Sequence, residues 1–212
     1  MLSNSCSRRS ERAGARHGTY ALAPHPGRAD VACATPRRLR RWLAGCLLGC
    51  TLAAGLCNAA SWRDELPRAE ALGDGELRWL GFRVYRATLW SEQRPFQPEH
   101  AFALQLHYFR AISRQRLVQT SLDEMERLNG DAIDAATLAQ WEKSLSRAFT
   151  DVKEGDELIG VYAPGHGVRF YNQQGLLADI ADLRLARAFF GIWLDERTRD
   201  QNLRRKLMGA TP

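Results

Sequence analysis

Apolar and polar positions between residues 60 and 212 change period several times along the chain. FALQLHYF (102–109) alternates, with Phe102, Leu104, Leu106 and Tyr108 on one side and Gln105 and His107 on the other. A period of two predicts a strand. LRWLGFRVYRATLW (77–90) has the length of one long or bent strand, or of two strands broken at Gly81. Gly160 to Ala163, Val168 to Tyr171 and Leu176 to Ile180 read as three short strands. Spacings of three and four then mark helices. Ser113 caps one that buries Leu117, Leu122, Met125 and Leu128 and stops at Asn129-Gly130. Asp134 caps a second, with Leu138, Trp141, Leu145 and Phe149 as its core stripe. Asp182 opens a third through Phe189, Phe190, Ile192 and Trp193, and a last helical piece follows Asp200. Strands, two helices, strands, then helices predict an α+β fold: an antiparallel sheet backed by a layer of helices.

The stretch YAPGHGVRFYNQQG (162–175) fits this plan as two successive hairpins. Pro164-Gly165-His166-Gly167 and Asn172-Gln173-Gln174-Gly175 supply the turn residues. His166 is therefore read as a turn residue. A catalytic or metal role would need a partner, and His100 and His107 stand at no ligand spacing from it. Asp156-Glu157 reads as a solvated acidic pair beside a turn.

Charge changes the picture only once the chain is divided. The whole sequence carries a net +6, but nine of its 30 basic residues and two of its 24 acidic ones precede residue 60. That leaves 21 basic against 22 acidic residues for 60–212, so the basic excess is no argument for nucleic acid. Residues 1–59 read instead as an Arg-rich preface and signal peptide. PRRLRR (36–41) is a positive n-region, WLAGCLLGCTLAAGLC (42–57) an uncharged apolar run of 16 residues, and Cys57 to Ala60 a small-residue cleavage region. The run is shorter than the ~20 residues that span a bilayer core. The expectation is Sec export, signal peptidase cleavage and a periplasmic domain over 60–212. Lipid anchoring at Cys50 is the rival. All five cysteines precede residue 60, so the remainder has neither disulfide nor thiol chemistry. It also shows no phosphate loop, metal spacing or Ser-His-Asp pattern, and no cofactor or metal is expected.

Four segments, LGDGELRWLGFRVYRATLW (72–90), LQLHYFRAISRQRLV (104–118), FTDVKEGDELIGVYAPGHGVRFYNQQGLLADI (149–180) and ARAFFGIWLDER (186–197), together resemble chalcone isomerase-fold proteins, specifically the bacterial exported chalcone isomerase-like branch. The most specific features are the Gly-rich lead into Arg78, the Val84-Tyr85 pair, the G-x-Y-x-P-G-x-G hairpin from Gly160 to Gly167 and the ending Gly191-Ile192-Trp193-Leu194. The resemblance implies a ligand cleft between sheet and helices. In plant isomerases an early-strand arginine stabilises a phenolate. In the fatty-acid-binding branch it meets a carboxylate with help from a tyrosine. Arg78 and Tyr85 match that pair without a gap, and Thr88 matches the isomerases' threonine only with one. The isomerases' later tyrosine and asparagine fall in Ala111 to Ser121, which contains neither.

The expectation is thus a non-catalytic protein that binds a small apolar carboxylate or phenolic ligand at Arg78, Tyr85 and Thr88. Arginine suits a carboxylate because its planar fork donates bidentately. A guanidinium turned into an apolar strand also needs a partner. Arg78 directed to solvent, or paired with Glu76, is the structural alternative. An isomerase or lyase using Arg78 against an enolate, and a partner-binding module, remain as other functions.

Overall fold

The computed structural model describes residues 60–209. The preface, signal peptide and Cys50 readings lie outside the described residues. Within these, six strands follow one another in space as in sequence, each antiparallel to the next. They are β1 (Glu70–Trp79), β2 (Phe82–Ser91), β3 (Phe102–Tyr108), β4 (Glu157–Ala163), β5 (Gly167–Asn172) and β6 (Gly175–Ile180). The helices are α1 (Trp62–Glu65), α2 (Arg114–Asn129), α3 (Ala135–Ala148), α4 (Leu183–Leu194) and α5 (Gln201–Leu207), with a 3₁₀ turn at Gly130–Ala132. The α+β fold is the one the sequence pattern predicts.

The 77–90 run is two strands joined at Leu80-Gly81, and β1 starts seven residues earlier, at Glu70. Its glycines look like a loop in sequence. In the fold, Gly73 and Gly75 are where α5 lies against the strand: a Cβ on Gly73 would stand 1.9 Å from the Lys206 carbonyl oxygen. β4 likewise begins at Glu157 rather than Gly160. At Gly160 the missing side chain admits Phe190, whose ring carbons would be 3.2 Å from a Cβ there.

The capping residues foreseen in the sequence all act. Ser113, Asp134, Asp182 and Asp200 accept hydrogen bonds from the backbone N–H groups of Arg116, Thr137, Leu185 and Leu203. These are donors a helix N-terminus otherwise leaves unpaired. Buried side chains on α2, α3 and α4 face one side of the sheet and form the main core with Leu89, Leu104, Leu106, Val168 and Phe170. Aromatic rings fill much of it. Phe102 stacks on Tyr162 at 5.1 Å between centroids and meets Phe190 edge-on at 4.8 Å; Phe170 meets Phe189 at 5.0 Å and Phe149 at 5.1 Å.

The short α1 escaped the sequence reading because four residues show no helical period. Ser61 and Asp64 close a capping box around it. It covers the other face of the sheet, where Trp62, Leu66 and Ala69 pack with Ala103, Ile159, Val161 and Tyr171.

Candidate functional site

The β1–β2 hairpin carries all three residues singled out as a ligand site, and it distributes them over different surfaces. Leu77 stands opposite Tyr85, Glu76 opposite Arg86 and Asp74 opposite Thr88, with a register shift between Leu77 and Arg78. Beyond the shift Arg78 reaches back to Glu76, its Nη2 donating to Oε2 at 3.1 Å. The Arg78 side chain is 58% exposed.

Glu76 is the centre of the group. It also accepts from Arg83 Nε at 3.1 Å and Nη2 at 2.6 Å, and from Arg86 Nη2 at 3.3 Å. The hydrogen bond from Arg83, outweighing desolvation and joined by the charge of Arg83 and the bonds from Arg78 and Arg86, holds its carboxyl at about 2. Three arginines on one carboxylate leave a local excess of positive charge, offset in part by Asp74, whose Oδ1 is 3.6 Å from Arg86 Nε. Beside them runs an open polar groove of about 650 Å³ along the sheet edge, lined by Asp74, Glu76, Arg78 and Arg86 and by Asp200, Asn202 and Lys206 near and on α5.

Tyr85 lies on the helix-facing side of β2. Its hydroxyl accepts a hydrogen bond from Trp193 Nε1 at 2.9 Å, and its ring meets those of Tyr108 and Trp193 edge-on at 5.9 and 6.5 Å. Burial pushes its phenol well above the ordinary tyrosine value, so it stays neutral at any physiological pH. Thr88 is three residues further on, and an odd offset along a strand turns a side chain to the opposite face. It pairs in register with Asp74 and Gln105, away from Tyr85. By the same alternation Arg78, paired with Glu76 opposite Arg86, lies on the face of Thr88, and Tyr85 turns to the helices on the other.

Arg83 and Arg86 were missed in the sequence, though a signal for Arg83 was present. Once the chain turns at Leu80-Gly81, positions 78 and 83 are cross-strand partners. The Tyr85–Trp193 contact, 108 residues apart, leaves no such trace.

His166 sits in its turn, with its backbone N–H on the Ala163 carbonyl at 3.1 Å. It also has a partner, because its ring Nε2 contacts Asp179 on β6. Asp179 accepts from Arg169 Nε at 2.9 Å, Arg169 Nη1 reaches Glu65 of α1 at 2.6 Å, and the Tyr171 hydroxyl donates to the same glutamate. Every member of this chain of charges is occupied by another, and its effect is to tie α1 to β5 and β6. Asp156 accepts from the Lys153 N–H at 2.9 Å, and Glu157 stands 3.5 Å from His107, so neither acid is merely solvated.

A family model described as chalcone isomerase-like matches residues 76–209, from the arginine-bearing end of β1 to the end of the described residues. The chain belongs to the chalcone isomerase-like family. An uncharacterized protein of Haemophilus influenzae (strain ATCC 51907 / DSM 11121 / KW20 / Rd) is 28% identical to this chalcone isomerase-like chain over 143 residues, 67% of this chain and 69% of the relative. Among solved structures, the crystal structure of a fatty-acid binding protein of Arabidopsis thaliana superposes with a TM-score of 0.51 at 12% identity, covering 67% of this chain and 87% of that one. At that identity the likeness is one of fold, and it agrees with the antiparallel sheet and helix layer described above.

Proposed function

We propose that this chalcone isomerase-like protein is an exported, non-catalytic binding protein for a small amphipathic acid, with Arg78 meeting the acid group. The observation that carries this reading is the state of Arg78. It makes one hydrogen bond, to a glutamate already held by two other arginines, and otherwise faces an open groove. Its remaining donors are free to take a carboxylate bidentately. Turning away from Glu76 would strand no buried charge, which is the usual obstacle to re-pairing an arginine. The fatty-acid binding protein of similar fold supports an acid of the fatty-acid class.

Three features favour binding over isomerisation. Tyr85 is neutral and already hydrogen-bonded to Trp193. Thr88 faces away from it. The stretch from Ala111 to Ser121, where the isomerases place a tyrosine and an asparagine, here forms a bridge from Ile112 to Val152, the Ser113 cap and the first two turns of α2. An oriented donor lost where charge develops costs on the order of 10²–10³ in rate.

The test is calorimetric titration of decanoate and palmitate into wild type, Arg78→Ala and Tyr85→Phe, each first checked for its thermal midpoint. A charge-assisted hydrogen bond is worth roughly 1.5–3 kcal/mol. Arg78→Ala should therefore bind about 10- to 100-fold more weakly. Tyr85→Phe should lose less. Equal affinity in a folded Arg78→Ala removes Arg78 from the site. Failure of wild type to bind either acid makes a partner-binding module the better account.

A further inference from the structure

The tip of the β1–β2 hairpin is built against the preferences of its own backbone. Leu80 has φ 49° and Gly81 φ 84°. Positive φ at both central residues of a two-residue hairpin turn is the type I′ geometry, which favours Asn-Gly. Asparagine tolerates the left-handed region, whereas a bulky leucine there is strained. Packing does not compensate, since Leu80 is 82% exposed. Its neighbours Trp79 and Phe82 are 68% and 65% exposed. A Cβ placed on Gly81 would meet nothing within 4 Å, so the tip stands clear of the rest of the fold. Neither folding of the turn nor burial within the described residues explains three large apolar side chains at this point. A strained residue without a local return points to a role outside the monomer.

The surroundings of the tip indicate the occupant. Arg83 lies over the Phe109 ring at 3.6 Å from its centroid, and Arg110 lies 5.7 Å from that of Phe82. Arg78 adjoins Trp79 in the chain. The apolar tip is thus collared by arginines, and Glu76, the acid that Arg78 and Arg83 share, is already saturated. We propose that this hairpin tip docks on an anionic lipid surface, with Trp79, Leu80 and Phe82 entering the boundary between headgroups and acyl chains and Arg78, Arg83 and Arg110 meeting lipid phosphates. Size favours a bilayer over a protein partner. The three side chains present on the order of 400 Å². A standard protein interface needs about 800 Å² per partner. Indole and guanidinium, each with an apolar body and a polar or charged end, suit the membrane boundary, and clustered arginine is drawn to anionic headgroups. No described helix is long and apolar enough to cross a membrane, and the contact is a surface one. Arg78 borders both the tip and the groove, but the inference does not rest on acid binding, because its test reads Trp79, Leu80 and Phe82, none of which lines the groove.

The test uses the full chain with vesicles of equal parts phosphatidylglycerol and phosphatidylcholine carrying brominated acyl chains, and with phosphatidylcholine vesicles alone. Emission from Trp79 is taken as the difference between wild type and Trp79→Phe, which reports the tip whatever other segment touches lipid. The expected result is quenching of that emission on the anionic vesicles, relieved by high salt and weak on the neutral ones. Leu80→Asn, which suits the turn, should weaken the salt-sensitive partitioning about tenfold while its thermal midpoint is no lower than wild type. Phe82→Ser should weaken it similarly. Unquenched Trp79 in a chain that sediments with vesicles overturns the proposal, since contact then lies elsewhere. Unchanged partitioning of Leu80→Asn also overturns it, as does a concentration-dependent dimer that Leu80→Asn abolishes without affecting lipid.

Discussion

At the scale of single residues, the arginine that sequence places in an apolar strand takes part in a surface cluster instead. Arg78 pairs with Glu76, two residues back on the same face of β1, and local alternation did not reveal the register shift that brings Arg83 of β2 onto the same carboxylate. Glu76 makes the cluster pH-dependent in a definite direction. Its carboxyl is lowered from the ordinary 4.5 to about 2 by Arg83 first and by Arg78 and Arg86 in addition. A depressed folded-state value stabilises the fold fully above the unfolded-state value and loses that effect as pH falls through the folded one. Glu76→Gln should therefore be less stable than wild type at neutral pH, and the two should converge between pH 4.5 and about 2. Thermal midpoints of both proteins across that range check this. A gap that persists at pH 2 would mean that Glu76 acts through packing and not charge.

At the scale of elements, the starts of α2 to α5 were the most readable feature, because each is announced by a side chain that satisfies backbone donors locally. Strand starts were less so. The glycines of β1 carry turn composition, and only the distant α5 explains them. The caps also differ in ways no local pattern shows. Asp134 caps within its own helix, accepting from Thr137 N at 2.7 Å. Asp182 accepts from Leu185 N at 2.9 Å and, with its other oxygen, from the indole N–H of Trp141 at 3.0 Å, joining α3 to α4. Trp141 is 2% exposed. Asp134→Ala should cost about 1 kcal/mol, the usual loss of a cap. Asp182→Ala should cost about 2–4 kcal/mol, because it also leaves a buried donor unpaired. Urea unfolding of the two variants measures the difference. Equal losses would show that the α3–α4 bridge contributes nothing.

At the scale of the whole molecule, the α+β plan and strand order followed from the changes of period, since a meander pairs each strand with its neighbour in sequence. The site followed less well. It depends on which face each residue of a strand takes and on contacts such as Tyr85–Trp193, both set by register and by chain ends that no local signal joins. The family membership and the similar fold of a solved structure fix the architecture around the groove at Arg78 and leave the acid ligand as the proposal to be tested. Native mass spectrometry of the protein isolated from the periplasmic fraction of its host tests the central claim most directly, since one spectrum reports both the processed chain and whatever it carries. The account predicts a species beginning near Ala60 or Ser61 with a bound apolar acid that is released by Arg78→Ala. An unprocessed chain absent from that fraction would contradict export, and a processed chain that carries no acid, or carries one equally well as folded Arg78→Ala, would contradict the binding site.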